Sequence, residues 1–127
     1  MLIAGLLLAG LAALFHVYVF YLESIAWTRD RTRATFGTTA KEAQVTKPLA
    51  FNQGFYNLFL ALMVVTGLAA FLSAPVVGAT LVFAGAGSMV AAGLVLLLSN
   101  RELARAALAQ LLPPLLAVIL LAVGLLT

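Results

Sequence analysis

Residues 15–57 read FHVYVFYLESIAWTRDRTRATFGTTAKEAQVTKPLAFNQGFYN, and this stretch decides the fold. One apolar run ends in it at Trp27 and a second begins at Pro48. Between them Arg29, Arg31, Arg33, Lys41 and Lys47 face Asp30 and Glu42 in a hydrophilic connection. Each apolar run also carries polar residues, His16 and Glu23 in the first and Asn52, Gln53 and Asn57 in the second. Polar groups inside lipid-spanning segments are costly and normally face a protein interior or a wet cavity. A functional site is therefore expected in this stretch.

The rest of the chain is almost all hydrocarbon. Of 127 residues, 65% are hydrophobic and 9% charged, where a soluble domain has about 45–50% apolar and about 25% charged residues. The composition is that of a single integral membrane domain over 1–127. There is no cysteine, which excludes disulfide and thiol chemistry, and a lone histidine excludes a multi-His metal site within one chain. No Gly-rich phosphate loop or Asp-rich motif for a metal-bound phosphate occurs, and no cofactor is expected. The net charge of +3 comes from loop residues and suits anionic headgroups. Membrane lipid is the expected partner, and nothing resembles a nucleic-acid module.

Four helices are predicted, at about 2–27, 48–72, 76–98 and 103–126, making an all-α four-helix transmembrane bundle with a loop at about 28–47. The N-terminal run lacks a basic n-region and stays apolar to Tyr21, so it reads as a retained first helix rather than a signal peptide. Tyr18, Tyr21 and Trp27 suit an interfacial belt. Thr39 and Glu42 have capping-box spacing, which allows a short surface helix from Ala40 to about Val45; an irregular loop is the alternative. Phe36 is placed to pin this loop to the helix ends. Pro48 fits a first helical turn, where its missing N–H costs nothing. The third helix is rich in small residues. Ala84, Ser88 and Ala92 form one small face and Gly87 with Ala91 another, suited to close packing inside the bundle or to a homo-oligomer seam. Pro113-Pro114 is expected to kink the fourth helix.

All seven Lys and Arg lie in the 28–47 connection or at the turn and start of the fourth helix. Four spans bring these regions to one side, which the positive-inside rule makes cytoplasmic. Both termini are then periplasmic in a bacterial inner membrane, and the one-sided bias argues against dual topology.

Counting inward from the cytoplasmic ends sorts the polar residues by depth. Glu23, Asn52, Gln53 and Arg105 form a layer about 7 Å below the boundary, and His16, Asn57, Gln110 and Ser88 one about 14–18 Å deep. His16 and Glu23 are seven residues apart and return to nearly the same helical face. A narrow polar pocket is predicted, in which Glu23 meets Asn52 and Gln53, or Arg105, and His16 meets Asn57. Each residue alone has a structural explanation, an interhelical hydrogen bond of about 1 kcal/mol. Their coincidence in depth favours a shared site.

The segments Phe15-His16, Tyr21-Leu22-Glu23, Trp27, Phe36-Gly37 and, above all, Asn52-Gln53-Gly54-x-Tyr56-Asn57 followed by Phe59-Leu60-Ala61 resemble the family known as domain of unknown function 1304. Gln110 followed by Pro113 is similar too. The resemblance covers essentially the whole chain. It implies a small bacterial four-helix membrane protein and a shared pattern containing His16, Glu23, Asn52, Gln53 and Asn57, but no substrate or cofactor. Three functions compete. The first is a binding or transport protein for a small or amphipathic solute, with protonation of Glu23 or His16 as a means of coupling. The second is an intramembrane enzyme on a lipid-like substrate with His16 and Glu23 as acid and base. The third is an accessory subunit of a membrane complex.

Overall fold

The computed structural model describes residues 1–127 and is all helical. Helix α1 (Leu2–Phe20) continues into a π-helical turn, Tyr21–Ile25. A short α2 (Asp30–Phe36) precedes α3 (Ala40–Phe71) and α4 (Pro75–Ser99). A 3-10 turn at Arg101–Leu103 leads into α5 (Ala104–Leu126). The four long elements are each long and apolar enough to cross a membrane. They form a ring in which α1 packs on α3, α3 on α4, α4 on α5 and α5 on α1, while the diagonal pairs barely touch.

Small residues fill the interior and large ones cover the outside. The buried core includes Ala9, Ala12, Ala13, Ala61, Ala86 and Ala117, whereas Leu7 and Leu49 are each 71% exposed. Water would penalise that arrangement. Lipid does not, because its tails are as apolar as leucine and helices associate by close backbone packing. Glycines make the closest approaches. A Cβ on Gly5 would lie 2.7 Å from Leu121 N, and one on Gly124 2.5 Å from Leu2 N, across the α1–α5 seam. Gly67 and Gly78 meet each other across α3–α4. These seams are tight at the end holding the termini.

The faces expected on α4 are not the ones it packs inside the bundle. Ala84, Ser88, Ala91 and Ala92 are exposed, and a Cβ on Gly87 would meet nothing within 4 Å. The buried face runs through Gly78, Val82, Gly85, Met89 and Gly93 instead. Small residues surround this helix, so their spacing alone does not select a face.

The start of α3 is also earlier than predicted. Thr39 and Glu42 form a full capping box, with the Thr39 N–H donating to Glu42 Oε2 at 2.8 Å and the Glu42 N–H donating to Thr39 Oγ1 at 3.2 Å. The surface helix so begun does not stop at Val45 but runs on through Pro48, which lies inside α3 rather than at its first position. Proline removes the N–H that Gln44 O would accept. Both residues are exposed, so solvent can satisfy that carbonyl. At 32 residues α3 is about 48 Å long, well beyond a hydrocarbon core of about 30 Å. Its first two turns project past the span. Thr39→Ala should destabilise this overhang by about 1 kcal/mol. Faster amide exchange over residues 40–46, with the remainder of α3 unchanged, is the expected reading; unchanged exchange there would dismiss the box as a contributor.

The connection before it is ordered as well. Helix α2 ends where Gly37 takes φ +67, with the Gly37 and Thr38 N–H groups donating to Arg33 O. That is a left-handed glycine cap. Asp30 and Arg33 pair within the helix. Phe36 does pin the connection: its ring packs on Trp27 at 5.1 Å between centroids, and Trp27 Nε1 donates to Thr46 Oγ1 at 3.1 Å. Pro113-Pro114 leaves α5 helical from end to end.

Candidate functional site

At the end of the bundle carrying the basic residues, the helices frame a half-open cavity of about 820 Å³. Its walls come from all four long helices and from α2 and the Trp27 region. Of its 21 lining residues, 14 are hydrophobic, and no lysine or arginine is among them. Here α1 and α3 stay close at Gly54, where a Cβ would strike Ser24 Oγ and come within 3.1 Å of Phe20 O. Helices α4 and α5 stay close at Gly93, where a Cβ would lie 3.0 Å from Leu111 Cβ. Two tight hairpins thus face each other across the open space.

Glu23 forms part of the wall. It is 8% exposed, and its Oε2 accepts a 2.8 Å hydrogen bond from Asn57 Nδ2. Asn57 Nδ2 also donates to Gln53 O at 3.2 Å, so its amide is fixed from two sides. The other oxygen, Glu23 Oε1, makes no hydrogen bond within the protein. Gln53, Asn57 and Gln110 line the cavity with Glu23.

The remaining predicted residues do not join them. His16 is 1% exposed but lies off the cavity; its Nδ1 bonds Ala12 O of its own helix at 2.9 Å. Asn52 and Arg105 are exposed, lie outside the cavity lining and make no side-chain hydrogen bond. The expected contacts of Glu23 with Asn52, Gln53 or Arg105, and of His16 with Asn57, are therefore corrected to a single contact, Glu23 with Asn57.

Side-chain direction explains the change. Ser24 Oγ donates to Phe51 O at 2.8 Å, and Gly54 lies against Phe20, so Glu23 is level with Asn52 along the axis. Side chains on a helix lean toward its N-terminus. In this antiparallel pair Glu23 leans away from the connecting loop and Asn57 leans toward it. They meet although their backbones are more than a turn apart.

The π turn explains why Glu23 and His16 part company. Phe15, Tyr18, Val19 and Leu22 line the cavity from one face of α1. In an unbroken α-helix Trp27 would lie about 120° round from Phe15, and Glu23 about 80°. The Ala26 N–H instead donates to Tyr21 O, five residues back, at 2.9 Å. This wider turn rotates less per residue and brings Glu23 and Trp27 back to the cavity face. Such turns are frequent at functional sites. No residue type in Tyr21–Ile25 announces it. Gly54 is the nearest signal, since a mid-helix glycine marks close backbone approach.

Phe15, Tyr18, Trp27 and Phe36 form an aromatic wall, with the hydroxyls of Thr35, Thr46 and Ser99 beside it, that helical depth alone does not single out. No group of three metal-ligating side chains occurs anywhere in the structure.

The model of the family described as "Protein of unknown function (DUF1304)" matches residues 10–122. The chain belongs to this family. The match spans the cavity-lining parts of all four long DUF1304 helices and the loop between α1 and α3. No curated protein and no solved structure matches the chain.

Proposed function

We propose that the cavity is a binding site for a small or amphipathic solute. One observation carries this reading: a buried carboxyl, Glu23, forms part of an otherwise largely apolar intramembrane cavity and leaves one oxygen free. Ligand sites are commonly apolar hollows with a few placed polar groups, and an ionisable group within a span marks a functional site by default. Movement of the solute across the membrane is the natural extension. The enzyme alternative lacks its acid–base pair, because His16 bonds its own helix away from the cavity. Native mass spectrometry of gently solubilised protein should find a co-purifying molecule other than bilayer phospholipid. Ala92→Trp, which fills the cavity from the exposed side of α4, should lose it. Wild-type protein free of any such adduct would overturn the proposal.

We also propose that the basic end faces the cytoplasm of a bacterial inner membrane, with both termini periplasmic. The support is that every Lys and Arg lies in the α1–α3 connection, the overhang of α3, or the turn into α5 and its first residues. Reporter fusions at residue 127 should read periplasmic, and fusions within 29–46 cytoplasmic. The reverse pattern would invert the protein.

A further inference from the structure

We propose that the solute is a lipophilic organic cation, held by Glu23 and the aromatic wall. The inference rests on the cavity being a binding site and adds the charge of what it takes. Glu23 has no cationic partner: the one ion pair in the structure joins Arg33 and Asp30, and no basic side chain lines the cavity. A buried carboxylate needs a compensating charge or several donors. Asn57 supplies one N–H to one oxygen, and the second oxygen is left for a ligand.

Two further features have the same sign. Trp27, Phe36, Tyr18 and Phe15 line the walls, and aromatic faces attract cations, tryptophan most strongly. Pro113 and Pro114 cannot donate to the carbonyls of Ala109 and Gln110, four residues earlier. Those two residues also line the cavity. The site thus gathers a carboxyl and aromatic faces beside a stretch of α5 that lacks two helical donors, with no lysine or arginine to balance them. An anionic or phosphate-bearing solute would find no cationic side chain here. A cation with bulky apolar substituents meets both the charge and the mostly hydrocarbon walls.

Trp27 is the single tryptophan of the chain, so its fluorescence reports on the cavity alone. Protein in phosphatidylcholine vesicles is titrated with three probes of similar bulk: tetraphenylphosphonium, tetraphenylborate and neutral triphenylphosphine oxide. The phosphonium should change Trp27 emission saturably, at least tenfold more tightly than either of the others. Glu23→Gln retains an acceptor for Asn57 but no charge, and should erase that preference without lowering the melting temperature. Equal saturable binding of all three probes, blocked by Ala92→Phe, would leave the cavity a binding site and overturn its preference for cations. No saturable response to any probe would overturn both. The comparison among probes is made on wild-type protein and so stands even if Glu23→Gln folds poorly.

Discussion

Gly78→Leu should fail to accumulate as a folded bundle, while Gly87→Leu should fold normally. A Cβ on Gly78 would lie 2.5 Å from Phe71 Cα and N and 2.7 Å from Gly67 O. These are backbone atoms of α3 held by a short turn, and no rotamer change can move them aside. Inserting side-chain atoms into a packed contact costs about 1–3 kcal/mol, and more where backbones must separate. The expected loss at Gly78 is therefore about 3 kcal/mol or greater. Gly87 lies on the same helix, yet a Cβ there meets nothing within 4 Å. Leucine at that position should change stability by less than about 0.5 kcal/mol. Yield and melting temperature in a fixed detergent measure both. A stable Gly78→Leu protein would mean that α3 and α4 do not touch at Gly67.

The second large effect lies at the Glu23–Asn57 contact. Asn57→Leu strands a buried carboxyl, and Glu23→Leu leaves the half-buried Asn57 amide only its bond to Gln53 O. Each should cost about 1–3 kcal/mol, because an unmet polar group away from water keeps its full desolvation penalty. The double replacement removes both groups together and should cost less than the two single changes added. A coupling of about 1 kcal/mol is expected for a hydrogen bond between membrane helices. Strict additivity would show that the two side chains do not meet in the folded protein. Asn52→Leu serves as control: Asn52 is level with Glu23 but exposed and unbonded, and its loss should be silent.

These predictions mark where sequence stops informing. Hydropathy and the positions of Arg29 to Lys47 are enough for four spans, because the cost of polar backbone in lipid leaves helices as the ready solution. The Thr39 and Glu42 pair is legible as a helix start, because a capping box acts through residues three apart. Asp30 and Gly37 bracket α2 with equally local signals, a first-turn acid and a left-handed cap, although the charges crowded into Arg29 to Arg33 suggest a solvated loop. The Glu23–Asn57 contact is not local. Depth counting brings Glu23 beside Asn52, and the five-residue difference comes from the lean of both side chains toward their helix N-termini. Choosing Gly85 over Gly87 as a packing position needs the rotation of α4 in the bundle. Lipid supplies no apolar–polar contrast to reveal it.

The π turn at Tyr21–Ile25 has a consequence for length variation in this segment. Loops ordinarily absorb the gain or loss of a residue. Here the spare residue is housed within the span itself. Deleting one residue between Tyr21 and Ile25 would let the ladder close as ordinary α-helix, and the segment would still be long enough to cross the bilayer. Trp27 would then follow Phe15 by one residue fewer, and an unbroken α-helix of that length returns it to within about 20° of the same face. Trp27, and the connection that leans on it through Phe36, would stay beside Phe15, Tyr18 and Leu22. The same loss between Phe15 and Tyr21, with the π turn kept, would swing Trp27 about 100° round and dismantle the aromatic wall, although a hydropathy profile would hardly tell the two deletions apart.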